Sequence, residues 1–370
     1  MAVVSYKCPN CDGELVFHPR TQKYKCEYCA SAFSQEEINR LQPKAEGENQ
    51  ENNHALQEEN QANPHDPMGE NQENVHAPRE EAGSIYHCPS CGAEIVTEET
   101  TAASFCYYCH NPVILSGRVS GEFLPDKIIP FVIDRKQAVE KFLDYVHHKK
   151  FVPRAFFHKS QIEKISGVYF PYWMADMDLE GALQAEGRNV RVWRSGDTEY
   201  TETKVYRVER EGEIHLEDIT RNALKKANGT LAQGVLPYDV SHIQEFQMSY
   251  LSGFLAEKRD MERAELENGV KGEAEEYGKQ LLRETVKGYH SVSVKNCRLN
   301  CSREHWDYVM LPVWTVTYQG RDGKMYYYSM NGQNGKVCGE LPVDYKKVWT
   351  VSGLVSLVVF VLGLVGGFLI

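Results

Sequence analysis

The amino-acid sequence predicts two small β-ribbons, a disordered linker, an α+β domain with antiparallel strands and a C-terminal transmembrane helix. Three observations predict this: one cysteine spacing that occurs twice, an acidic stretch without aromatics between the copies, and a closing run of 23 residues without a charge. They set the boundaries at 1–41 for the first ribbon, 42–84 for the linker, 85–117 for the second ribbon, 118–347 for the α+β domain and 348–370 for the span.

Cys8-Pro9-Asn10-Cys11 is followed fourteen residues on by Cys26-Glu27-Tyr28-Cys29, and Cys88-Pro89-Ser90-Cys91 at the same interval by Cys106-Tyr107-Tyr108-Cys109. The flanks repeat too, Tyr6, Glu14, Leu15 and Val16 returning as Tyr86, Glu94, Ile95 and Val96. Two thiols two residues apart sit on one tight turn, and two such turns make a four-thiolate cage suited to Zn²⁺, with iron as the minority option. Disulfides fit poorly, because the stretch before Cys8 is too short for a secretory signal. Each unit is too small to bury a sufficient core, so bound metal would supply most of its folding energy. The expectation is therefore two structural zinc ions, one held by Cys8, Cys11, Cys26 and Cys29, the other by Cys88, Cys91, Cys106 and Cys109. Sulfur fills all four positions of each, which leaves no open coordination site for substrate.

Eight of the eleven cysteines are used this way, leaving Cys297, Cys301 and Cys338. They read as inert packing residues in a reducing compartment, with a third metal site as the alternative. After the first ribbon, Ser34 and Glu37 form a capping box for a short helix through Leu41. Residues 42–84 then hold ten acids and two bases, a net −8 within a chain of −11. That composition cannot offset the entropy of ordering, so a disordered tether is expected, letting the first ribbon swing free. His54, His65 and His76 recur in it every eleven residues and read as solvated imidazoles.

The α+β domain should enter as an extended segment from Phe123 to Ile133. Asp134 then caps a helix whose Val139, Phe142, Leu143 and Val146 share one face. Lys149 to Phe157 interleaves bases with aromatics. It reads as a loop packing its phenylalanines on the core, with a membrane-surface or nucleic-acid patch as the alternative. Strands are expected at Gly167–Leu179, Val190–Trp193 and Glu199–Glu209, turning at Ser195-Gly196-Asp197. Ile243, Phe246, Tyr250 and Phe254 are spaced as a helix that continues through Glu257–Glu267, and a second helix covers Glu273–Lys287. Strands return at His290–Leu299, Tyr308–Tyr318, Met325–Met330 and Lys336–Leu341, with Asn331-Gly332 and Asn334-Gly335 supplying positive φ.

Val348–Ile370 as a helix is about 34 Å long against roughly 30 Å of hydrocarbon, long enough to span. Lys346 and Lys347 at its front edge place the preceding residues in the cytoplasm by the positive-inside rule, giving a single-pass protein of the cell membrane. Ser352, Ser356, Gly363 and Gly367 form a stripe that permits self-association. Ending at Ile370, the segment reads as a tail anchor or as the first half of a longer hairpin.

No nucleophile elbow, His-Glu-x-x-His or phosphate loop is present, and Asp176 and Asp178 on one strand face are a weak carboxylate pair. The chain is not expected to be an enzyme. It resembles bacterial membrane-anchored TFIIB-type zinc-ribbon proteins, some labelled phage replisome-organiser-like. The resemblance rests on the Cys88–Cys109 ribbon, Leu124-Pro125-Asp126-Lys127-Ile128-Ile129-Pro130-Phe131, Gly167-Val168-Tyr169-Phe170-Pro171-Tyr172-Trp173, Leu311-Pro312-Val313-Trp314 and Tyr327-Tyr328-Ser329-Met330-Asn331-Gly332-Gln333. It implies a non-enzymatic scaffold in envelope stress, with membrane partners such as PspA-type or flotillin-like proteins. Ala30 and His110 stand where ribbons often place glycine. The alternative function is nucleic-acid binding, with Tyr24, Tyr28, Tyr107 and Tyr108 as stacking residues. Charge weighs against it: residues 1–40 balance five bases with five acids, and 85–117 hold three acids and no Lys or Arg. Affinity for a polyanion needs cations to neutralise phosphates.

Overall fold

The computed structural model describes residues 3–41, 84–92, 94–106, 109–153, 165–225, 229–319 and 324–368. The acidic linker with its three histidines, Tyr107, Tyr108 and the stretch Arg154–Phe157 lie outside them.

The first ribbon comprises β1 (Val3–Val4), β2 (Leu15–His18), β3 (Lys23–Cys26), β4 (Ala32–Phe33) and α1 (Gln35–Leu41). Ser34 and Glu37 make the expected reciprocal cap: the Ser34 amide donates to Glu37 at 2.6 Å and the Glu37 amide to Ser34 Oγ at 3.3 Å. The second ribbon comprises β5 (Ser84–His87), β6 (Glu94–Thr97), β7 (Thr101–Phe105) and β8 (Pro112–Leu115). After β9 (Lys127–Ile128) comes α2 (Arg135–His147), capped by Asp134 with Gln137; of its expected face Phe142 and Val146 are buried and Val139 and Leu143 half-buried, and Ala138 is buried with them.

The body is built on three very long strands: β10 (Ser166–Ser195), β11 (Thr198–Asn222) and, later, β14 (Ser291–Gln319). Between β11 and β14 lie α3 (Gly229–Gly234), β12 (Gln244–Glu245), β13 (Leu255–Glu257) and α4 (Arg263–Glu284), and β15 (Met325–Asn331) and β16 (Val337–Gly339) follow. The principal sheet runs β1-β8-β7-β13-β10-β14-β15-β16, with β11 also on β10 and β9 on β14. β10 is 30 residues long, a contour of about 100 Å. It hands one edge from β13, at Val168 and Tyr169, to β11 from Tyr172 onward. Where separate short strands were expected, β10 and β14 run on, because residues 178–188 pair on both sides. Bulges at Ala175/Met177, Asp178/Leu179 and Gln184/Ala185 absorb the irregularity without a turn. The hairpin reverses where expected, at Gly196 with φ +63°.

α4 lies across these strands with Val270, Ala274, Gly278 and Leu282 inward. It sits close: a Cβ on Gly278 would fall 2.4 Å from Leu299, and one on Gly181 would fall 2.6 Å from Leu282. The helix expected from Ile243 through Glu267 does not form. Its apolar spacing is met instead by a 3-10 turn at Met248–Leu251, a reversal at Gly253 (φ +88°) and β13, and α4 begins at Arg263, capped by Glu262 with Glu265. Tyr250 and Phe254 are buried, but against the first ribbon and Phe131 respectively. Tertiary contact, not helical self-packing, sets that period.

The motifs that carry the resemblance, with Tyr308 beside them, supply much of the core, while Leu124 and Tyr327 stay exposed. Tyr169, Tyr172, Tyr308, Tyr328 and Phe131 are fully buried. Their polar ends are satisfied: Tyr172 OH donates to the Ala232 carbonyl at 2.8 Å, and Tyr169 OH accepts from the Phe131 amide at 3.2 Å. Asn331, wholly buried, donates to the Val235 carbonyl at 2.9 Å and accepts from the Gln333 amide at 2.8 Å, tying the turn after β15 to α3. Of the two expected positive-φ glycines near it, Gly335 has φ +80°, whereas Gly332 packs on Phe131 instead.

The first ribbon does not swing free. β1 pairs with β8 (Val3↔Leu115, Val4↔Ile114), the Phe17 amide donates to the Ser252 carbonyl at 3.1 Å, and Ser252 Oγ donates to the Leu15 carbonyl at 2.6 Å. Phe17, Tyr24 and Tyr250 form an edge-packed triad with centroids 5.2–6.5 Å apart. Linker length allowed freedom, but the apolar face of Leu15, Phe17 and Tyr24 is too large to leave in water.

The chain closes with α5 (Tyr345–Phe368), whose first turn is capped by Asp344 accepting from the Lys346 and Lys347 amides at 3.1 and 3.4 Å. Its stretch Tyr345–Leu364, 20 residues with none buried, is long and apolar enough to cross a membrane.

Candidate metal centres

All eight predicted cysteines converge on two sites, Cys8/Cys11/Cys26/Cys29 and Cys88/Cys91/Cys106/Cys109. Four equivalent turns place them. In each, the amide of the residue after the second cysteine donates to the carbonyl of the first: Asp12 to Cys8 at 2.8 Å, Ala30 to Cys26 at 3.1 Å, Gly92 to Cys88 at 2.8 Å and His110 to Cys106 at 2.9 Å. That bond needs a left-handed residue after the pair, and Asp12, Ala30 and His110 all have φ +59° while Gly92 has +72°. The substitutions for glycine at 30 and 110 leave the knuckle backbone intact.

The sulfurs fit a tetrahedral ion. Cys8–Cys29 and Cys11–Cys26 Sγ atoms are 3.6 and 3.5 Å apart, and Cys88–Cys109 and Cys91–Cys106 are 3.6 and 3.7 Å apart. A tetrahedron with Zn–S bonds of about 2.3 Å has edges of about 3.8 Å. A disulfide needs sulfurs at about 2.05 Å, so none of these pairs is oxidised. In each quartet the first cysteine of each knuckle is buried, and the second is exposed, or half-buried at Cys109. Thiols so close titrate unequally: in the first quartet the Ser31 hydroxyl and amide bring Cys29 down to about 6, whereas Cys11, although the Gly13 amide lowers it, is pushed up to about 12 by the Cys26 and Cys29 sulfurs. A divalent cation removes that conflict by holding every sulfur as thiolate. Each quartet can therefore hold one metal ion, closed on all four sides.

The two centres touch. Glu14, only 6% exposed, forms an ion pair with Lys7. It also accepts at Oε1 from Ser90 Oγ at 2.7 Å and from Asn111 Nδ2 at 3.1 Å. Lys7 Nζ in turn donates to Ser90 Oγ at 3.3 Å. Ser90 lies inside one knuckle of the second centre, and Asn111 lies two residues past the last cysteine of the other. The sequence marked Glu14 only as half of a repeated pair with Glu94; nothing in it signalled a link between the cages.

The remaining candidates are not brought together. Cys297, Cys301 and Cys338 pack in three separate apolar clusters, so the alternative third site does not form. Asp176 and Asp178 part company as well: Asp176 accepts from the Asp218 amide at 2.9 Å, and Asp178 faces His215 at 2.8 Å. Tyr28 is exposed beside the first centre, but Tyr24 is buried and donates to Ser249 Oγ at 2.8 Å, so it is no stacking platform.

No family model matches this sequence, and no solved structure matches it. Among curated proteins it is 33% identical over 346 residues, 94% of this chain and 92% of the relative, to the uncharacterized protein YdjG of Bacillus subtilis (strain 168).

Proposed function

This chain belongs to the same family as YdjG, and we propose that within it the chain is a membrane-anchored scaffold, its two ribbons closed by structural zinc, that recruits protein partners on the cytoplasmic face. One observation carries the reading. Beyond Ser291, where β14 begins opposite Arg188, β10 and β11 continue as a bare two-stranded hairpin. Val190 and Val192 are exposed on one face, Trp193 and Tyr200 on the other, and Trp193 stacks on Tyr200 at 5.6 Å. Two strands alone are marginal in water, and apolar side chains on both faces of a projecting arm are what a partner would cover. The closed thiolate sites support a structural role for the metal, and the resemblance to TFIIB-type ribbon proteins supports partners such as PspA-type or flotillin-like proteins in envelope stress. Lys346 and Lys347 at the mouth of α5 support a cytoplasmic body.

The test is proximity labelling from membranes with full-length protein, comparing wild type with Trp193→Asp, Val192→Asp. The variant is expected to lose its neighbours while keeping two equivalents of metal. An unchanged neighbour set would overturn recruitment by the arm. Nucleic-acid binding remains the second reading because the resemblance includes replication-like labels. It requires retardation of DNA by the detergent-solubilised chain that weakens steeply with salt.

A further inference from the structure

We infer that the turn Lys149–Val152 and the strand end Gly339–Val343 form a headgroup site for an anionic phospholipid at the foot of α5. The inference rests on α5 spanning the membrane. A cleft of about 470 Å³ opens there, walled by Tyr145, Phe151, Val152 and Leu341 and rimmed by His148, Lys149 and Lys150. The turn is fixed to the helix: the Asp344 amide donates to the Phe151 carbonyl at 2.7 Å, and Lys347 Nζ donates to the Val152 carbonyl at 2.6 Å. The cleft therefore lies where the span meets the body, at headgroup depth.

The surface around it is amphipathic in the direction a lipid needs. Phe151, Val343, Tyr345 and Trp349 are exposed on the α5 side, Trp349 by 77%. Above them Lys149 Nζ stands 5.1 Å from the Tyr145 ring centroid, and Lys150 projects into solvent. Of the nearby carboxylates, Glu340 pairs with Lys324 at 3.3 Å, Asp344 caps α5 and Asp144 lies 3.6 Å from His148, while Lys346 and Lys347 add to the bases of the turn. The lysines are thus a local positive spot on a chain of net charge −11. Juxtamembrane lysines attract anionic lipid by roughly fivefold each, and aromatic side chains settle at the same depth. Phosphate oxygens would meet Lys149 and Lys150, while an acyl chain runs past Phe151 and Trp349.

The experiment uses full-length protein in lipid nanodiscs of mixed phosphatidylcholine and phosphatidylglycerol, with bromine on the acyl chains of one lipid at a time. Tryptophan quenching is read against a Trp349→Phe background. Wild type is expected to be quenched by brominated phosphatidylglycerol well beyond its mole fraction. Lys149→Gln, Lys150→Gln lowers that preference by at least about fivefold. Lys149→Arg, Lys150→Arg keeps it, as does the charge-matched Lys204→Gln, Lys295→Gln on β11 and β14. Equal quenching by both lipids, or a preference that survives the double Gln change, overturns the site while leaving the span standing. Absence of quenching by either lipid overturns the span, and the site with it.

Discussion

The two ribbons share a spacing, a knuckle geometry and a cage, yet the body holds them in different ways. The second is part of the main sheet: β7 and β8 lie between β1 and β13, and β13 pairs with β10 at Val168 and Tyr169. The first keeps its own sheet of β2, β3 and β4 and is attached through side chains and the Phe17–Ser252 backbone bond, with β1 as its one strand in common. The same thirty-odd residues of sequence can thus build a four-cysteine unit that is either a plank of the sheet or a block resting on it. What differs is where the strand edges lead after the last cysteine.

The sharpest way to break that comparison is to open each cage in turn. Structural zinc contributes on the order of 10–16 kcal/mol of binding free energy to a small ribbon. Cys88→Ser, Cys91→Ser should reduce bound metal from two equivalents to one and release β7, β13 and the start of β10 to hydrogen exchange. Cys8→Ser, Cys11→Ser should cost the same equivalent of metal but leave Leu255–Glu257 protected. Identical exchange maps would mean that both ribbons are blocks, or both planks.

Next in size is the attachment of the first ribbon. Tyr24 is fully buried between Phe17 and Tyr250, and removing such a ring typically costs about 3–5 kcal/mol. Tyr24→Ala should detach the block without emptying it, so limited proteolysis in the linker accelerates while metal content stays at two. Loss of metal along with the attachment would show that the first cage depends on docking.

How much of this was legible follows from which forces are local. The knuckles, the Ser34 and Asp134 caps, α2 and the apolar run of α5 depend on residues within a turn or two of each other, and each is found where its spacing places it. The docking of the first ribbon was hidden, because Leu15, Phe17 and Tyr24 find partners more than two hundred residues away at Ser249, Tyr250 and Ser252. The stretch from Ile243 to Phe254 misled for the same reason: its spacing suits a helix, but Tyr250 and Phe254 serve two different neighbours. The length of β10 was hidden because residues 180–189 contain no β-branched or aromatic residue, and Gly181 and Gly187 among them make room for Leu282 and Tyr289.

Between plank and block stands Glu14, the shared polar contact. Removing one partner of a buried charged hydrogen bond costs about 1–3 kcal/mol. Glu14→Ala removes the acceptor that Lys7, Ser90 and Asn111 share, so chelator-driven metal loss should become independent at the two centres. In the wild-type protein, loss at one should hasten loss at the other. Two kinetically independent phases in both proteins would show that the contact transmits nothing.

The smallest effect lies inside the knuckles. Ala30 and Gly92 hold the same backbone position, at φ +59° and +72°, but only Gly92 is free of a Cβ there. A non-glycine left-handed residue costs about 1 kcal/mol. Ala30→Gly should therefore raise the stability of the first ribbon by about that much, less what glycine loses through its greater freedom when unfolded. Gly92→Ala should lower the second by a similar amount, since a Cβ at Gly92 meets nothing within 4 Å and backbone conformation is the whole of the effect. Chelator resistance of each centre reads both changes. If both substitutions shift resistance in the same direction, then the two knuckles are not equivalent in spite of their shared geometry. The difference between plank and block would in that case reach down to the cages themselves.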